Sequence, residues 1–168
     1  MPIRHHFPVR LARDLRINLS RSAIGLPLLV SAALAVMPGP GWSAEAKRLV
    51  LVERSTASGV AHHGAKGDNV GDVMTFGDDI YDEANTQQLG HDQGWCIRTV
   101  VGKSWQCFWT VSLGDGEIHI FGPYNDDSDS ILQITAGTGA YAHAKGSMAL
   151  HSRDPEGSAY DLVFSFAD

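Results

Sequence analysis

The sequence predicts an all-β fold, an eight-stranded antiparallel β-barrel preceded by a signal peptide, and three observations carry that reading. From residue 45 onward, short runs of alternating apolar and polar residues are punctuated by Gly, Asp, Asn and Pro, the pattern of short strands in an antiparallel sandwich or barrel. No stretch of 12 residues shows a convincing helical period. The first 44 residues follow a different plan, basic and then apolar, and end in small residues.

That leading segment carries Arg4, Arg10, Arg13, Arg16 and Arg21 against the single acid Asp14. An apolar run from Leu26 to Met37 follows, is closed by Pro38 to Gly41, and leads to Ala44-Glu45-Ala46. A basic region, an apolar region and a small-x-small site are the order of a secretory signal. The run is short of the roughly 20 apolar residues a spanning helix needs, so an uncleaved anchor is the weaker alternative. The expected division is a signal peptide at 1–44 and one barrel domain at 45–168, with a periplasmic or secreted location. Five of the 13 Lys and Arg and one of the 19 acids leave with the signal, so eight bases face 18 acids, a net charge of −10. A chain this acidic is a poor partner for nucleic acid or an anionic membrane.

The expected strands, in order, cover residues 47–54, 69–81, 87–100, 104–113, 117–122, 130–135, 141–151 and 158–166. The first is KRLVLVER; the second follows a Gly-rich loop through His62 and His63. The third contains Gly90 and Gly94, and Gly inside a strand often marks a bulge. Between the third and fourth, a turn at Val101-Gly102 sets Cys96 opposite Cys107, and cross-strand Cβ atoms lie close enough for a disulfide to bridge. An exported chain permits that bond. Gly114-Asp115-Gly116 turns into the fifth strand, and an acidic loop from Asn125 to Asp129 precedes the sixth. In the eighth, Tyr160, Leu162, Phe164 and Phe166 share one face. Eight strands with short connections favour closure, which removes exposed sheet edges and leaves room for packed side chains or one small ligand.

Ile134-Thr135-Ala136-Gly137-Thr138-Gly139-Ala140-Tyr141-Ala142-His143-Ala144-Lys145-Gly146 resembles the V-x-G-G-T-G-x-F/Y-x-x-A-R/K-G signature of dirigent proteins. The segment from Gly71 through Phe76, Asp78 and Asp79 to Asp82 is similar to a second strand of that family. Cys107 to Leu113 with Gly116 to Gly122 is similar to the centre of bacterial allene oxide cyclase barrel-like proteins. The resemblance spans about Gly71 to Phe166. It implies an eight-stranded antiparallel barrel that uses no cofactor and assembles as a homo-trimer or homo-dimer. It also implies a small lipophilic molecule as partner, whose cyclisation, isomerisation or coupling the barrel steers. Ala136 stands where dirigent proteins usually have Gly, and the Cys96–Cys107 hairpin is this chain's own, so the plant substrates do not transfer. In the G-T-G segment, Gly137 and Gly139 read as a backbone corner with φ > 0, after which Tyr141 opens the next strand.

The candidate catalytic residues are Asp78, Asp79, Glu117 and His119. Asp78 and Asp79 match the acidic pair of the resembled family, and read otherwise as turn formers on the rim. Glu117 and His119 alternate on one strand and could transfer a proton if they face inward, but Ile118 and Ile120 look more like its core face. Tyr81, Trp109, Tyr141 and Tyr160 are the candidate ligand-binding aromatics. No metal is expected, since the histidines are scattered and the 125–129 loop lacks the spacing of a calcium loop. Three readings stay open: a cofactor-independent isomerase or cyclase, a carrier of a lipophilic ligand, and a structural oligomer with a filled barrel.

Overall fold

The computed structural model describes residues 47–167, so the expected signal peptide lies outside the described residues. Eight strands run in chain order: β1 (Lys47–Ala61), β2 (Val73–Asp82), β3 (Gln88–Val100), β4 (Ser104–Leu113), β5 (Gly116–Asn125), β6 (Ser130–Gly137), β7 (Gly146–Ser152) and β8 (Ala159–Phe166). Each pairs antiparallel with the next, and β8 pairs with β1, closing the barrel. Alternation does the sorting, because successive side chains on a strand point to opposite faces. Leu51, Ile80, Val111, Ile118, Ile120 and Phe164 meet inside with at most a trace of exposure. Among the described residues no helix is long and apolar enough to cross a membrane.

Three expectations change. β1 continues past Arg54 to Ala61, with an irregular register between Arg54 and Ala57; the stretch Ser55 to Ala61 is small and polar and gives no alternation to read. Tyr141 does not open the seventh strand. It ends a short 3-10 turn, Gly139–Tyr141, and β7 begins only at Gly146. The G-T-G corner is real but its glycines act differently from one another. Gly139 has φ 55°, whereas Gly137 is not in that region and is required because a Cβ there would collide with the Tyr141 carbonyl.

The up-and-down topology places the β1–β2, β3–β4, β5–β6 and β7–β8 connections at one end. The other end is filled. Tyr141 stacks on Phe166 at 6.2 Å, Phe166 on Phe164 at 6.1 Å, and the layers above them are core. At the open end, Arg98 ties the connections together. Its guanidinium bonds Asp68 of the β1–β2 loop at 2.7 Å and Asp126 beyond β5 at 2.7 and 2.8 Å, and lies 3.9 Å over the Trp105 ring.

Candidate functional site

The interior is not apolar throughout. Near the open end, β1, β2 and β3 each send one carboxyl inward: Glu53, Asp78 and Asp92, at 5%, 4% and 1% exposure. Asp78 and Asp92 are direct cross-strand partners, and one oxygen from each of the three lies within 4.8 Å of the others. The register irregularity in β1 explains how Asp78 is held. Residues 55 and 56 drop out of the β1–β2 ladder, and the backbone N–H groups of Thr56 and Ala57 turn to donate to Asp78 Oδ1, the latter at 3.2 Å. Asp92 accepts from the Trp109 indole N–H at 3.0 Å and from the Asp78 backbone N–H at 3.2 Å. Glu53 is less well served: its carboxyl adjoins that of Asp92, and its buried Oε2 meets no donor among the described residues.

Three acids so close in a water-poor site cannot all ionise at their usual pH. Burial pushes Asp92 up to about 6, with the Asp78 charge adding to the rise. Glu53 is held well above the usual carboxylate range, first by burial and then by the charges of Asp92 and Asp78. Glu53 and Asp92 therefore hold a proton between them above the usual carboxylate range. Glu53 lines the cavity above and Asp92 lies behind it, and acids shifted toward neutrality in such a place suit proton transfer.

Above the carboxyls lies a cavity of about 250 Å³. Phe76 and Trp109 meet edge to face at 5.2 Å on one wall. Tyr124 and Tyr160 face each other on another, hydroxyls 3.2 Å apart. Burial, the Tyr124 hydroxyl and the Glu53 charge hold the Tyr160 phenol well above its usual range, so it stays protonated. Gly94 makes room for this packing: a Cβ there would strike the Phe76 ring tip and the Phe108 carbonyl. Cys96 also lines the cavity, and the Cys96–Cys107 disulfide, expected from the hairpin register, is present and faces inward.

Of the expected catalytic residues, Asp78 faces this cavity. Asp79, one residue on, faces outward within β2, where the Gln88 amide donates to it at 2.9 Å; neither aspartate forms a rim turn. Glu117 and His119 do approach each other, Oε2 to Nε2 at 3.6 Å, but on the outer wall beside Ser112 and Thr110, with Ile118 and Ile120 turned to the core. Of the expected aromatics, Trp109 and Tyr160 line the cavity. Tyr81 is outside, 3.7 Å beneath the Arg54 guanidinium, and Tyr141 is at the filled end. Glu53, Asp92, Phe76 and Tyr124 were not singled out by the sequence. Glu53, Asp78 and Asp92 are also where a metal ion would find three carboxylate oxygens together among the described residues.

No protein-family model matches the chain, and no curated protein matches it in sequence. Solved structures do. A pyocyanin demethylase is 27% identical, with a TM-score of 0.61 over 70% of this chain and all of that one. A pterocarpan synthase dirigent protein is 18% identical, with a TM-score of 0.56 over 73% of this chain and 96% of that one. An exo-specific intermolecular Diels-Alderase is 17% identical, with a TM-score of 0.57 over 73% of this chain and 98% of that one. The chain therefore has the closed eight-stranded antiparallel barrel found in dirigent proteins and cyclising enzymes.

Proposed function

We propose that this chain is an exported barrel that binds a small, conjugated, lipophilic molecule in its open end and steers that molecule's reaction without a cofactor. One observation carries the reading: three inward carboxyls, one of them unsatisfied, lie under an aromatic cavity instead of a filled core. A carrier would be served by an apolar pocket alone, and a structural barrel by none. Burying carboxyls beside one another is costly unless something is gained. Here Asp92 and Glu53, moved toward neutral pH, supply a proton donor and acceptor. The Asp78 charge would stabilise positive charge developing on the bound molecule, and the aromatic walls would hold it in one folded geometry. Cyclisation, isomerisation or coupling directed in this way agrees with the names of the dirigent and Diels-Alderase neighbours.

Export rests on the N-terminal pattern of the sequence, and an oxidising compartment suits the Cys96–Cys107 bond. A homo-trimer or homo-dimer is supported by the outer face of β3 to β6, where Trp95, Ile97, Phe121 and Ile131 are each 39% exposed or more.

Native mass spectrometry of protein purified from its host tests the reading, followed by binding assays with conjugated small molecules that begin with pyocyanin, the compound in the name of the 27% identical neighbour. A bound lipophilic molecule that is altered by the wild type and left unaltered by Asp78→Asn is the expected result. Binding without turnover would leave a carrier, and no binding of any compound would leave a structural barrel.

A further inference from the structure

The cavity selects by charge as well as by shape. Among its lining residues Glu53, Asp78 and, at the rim, Glu156 are acidic, and none is Lys, Arg or His. Asp92 adds a fourth carboxyl within 4.8 Å of Glu53 and Asp78. Arg98, the most buried base at the open end, is engaged by Asp68 and Asp126 and does not line the cavity. The unpartnered oxygen belongs to Glu53, a side chain 95% removed from solvent that lines the cavity. Once it gives up its proton this carboxylate is acceptor-only, and an ionised, unpartnered carboxylate at this depth is matched by a positively charged or N–H-bearing ligand.

We propose that the ligand of this cavity is an organic cation, a flat ring system carrying a delocalised or quaternary nitrogen, seated between Trp109, Phe76 and the Tyr124–Tyr160 pair with its charge against Glu53 and Asp78. The proposal rests on the reading that the cavity takes a conjugated small molecule, and it names the class of that molecule. An anion would meet the acids with no compensating base. A hard metal ion seeks six to eight oxygen ligands, whereas the cavity offers the carboxyls and then rings. Aromatic faces attract a diffuse positive charge, which a low-dielectric site strengthens. The acids supply the net charge and the rings supply the shape.

Binding then exchanges the Glu53 proton for the charge of the ligand. The groups facing Glu53 are Asp78 from β2, Asp92 from β3, Tyr124 from β5, Tyr160 from β8 and Glu156 from the β7–β8 connection. All are acidic or phenolic, so nothing nearby opposes the exchange.

Isothermal titration of the full chain with quinoline and with N-methylquinolinium, at pH 7.5, separates charge from shape. The expected result is at least tenfold tighter binding of the cation. That preference should tighten further between pH 6 and pH 8 and fall below threefold in Glu53→Gln, while quinoline affinity stays within threefold of wild type. Asp78→Asn gives the same loss through a second position, and the near-ultraviolet dichroism of both variants reports whether the barrel is intact. Equal or weaker binding of the cation would overturn the charge assignment and leave the small-molecule reading standing. Failure of both probes to bind at millimolar concentration would overturn both.

Discussion

Asp78 and Asp92 stand directly opposite one another on β2 and β3, and the backbone N–H of one donates to the carboxyl of the other at 3.2 Å. Two acids facing each other across a ladder normally repel. They are tolerated here because backbone amides from β1 and the Trp109 indole take up their oxygens.

The Trp109 indole donates to Asp92, whose carboxyl burial pushes up to about 6. Indole emission should therefore change with a midpoint near 6, from a group whose burial raises its value. The transition should vanish in Asp92→Asn and in Trp109→Phe, measured by fluorescence against pH.

Glu53 and Asp92 bind protons more tightly in the folded chain than in the unfolded one. The folded state then holds more protons above about pH 4, so stability declines as pH rises through about 6. Glu53→Gln should flatten that decline and raise stability at pH 7.5 by about 1–3 kcal/mol, the scale of one unsatisfied buried group. Urea denaturation at pH 5 and pH 7.5 measures it.

Asp72 behaves in the opposite sense. The backbone N–H of His63 donates to it first, with His62 and Asn69 adding to the effect, and these bonds lower it to about 2. Its contribution is present above about pH 4 and lost as pH falls toward 2. Asp72→Asn should remove that acid limb and loosen residues 62–71, visible by hydrogen exchange.

Arg98 holds the open end with two carboxylates and one ring. Removing one member of a largely buried ionic group leaves the others unpaired, so Arg98→Ala should cost about 3 kcal/mol. Lysine lacks the planar fork and should recover only part of that loss. Thermal unfolding of both variants is the check.

The Cys96–Cys107 bond closes a hairpin with a sequence separation of 11. Replacing both with Ser should cost about 2–3 kcal/mol in urea titrations without reductant. It should also alter the cavity wall, since Cys96 lines it.

The strands were legible because alternation persists wherever one face is core, as in Tyr160, Leu162, Phe164 and Phe166. The disulfide was legible because a turn at Val101-Gly102 leaves only one register for Cys96 and Cys107. Two of the three carboxyls were not. Glu53 at the end of KRLVLVER and Asp92 between His91 and Gln93 look like ordinary solvated acids. Parity held the missing signal. Glu53 has the parity of Leu49 and Leu51, and Asp92 that of Cys96, so once the inward side of each strand is set the acids must follow it. The same rule separates Asp78 from Asp79 and turns Glu117 and His119 outward with Phe121. That three separate strands bring their acids to one level depends on barrel stagger, which no single strand reveals.

The filled end, with Tyr141 against Phe166, gives the barrel the form of a cup. Whatever enters past the Arg98 cluster has to leave by the same route, so arrival and departure compete for one doorway. A tightly held product would block its own successor, and turnover would then be paced by passage between the four connections at the rim. Changes of catalytic rate and changes of substrate preference would be expected to fall on different parts of the chain, the first on those connections and the second on the carboxyl layer beneath them.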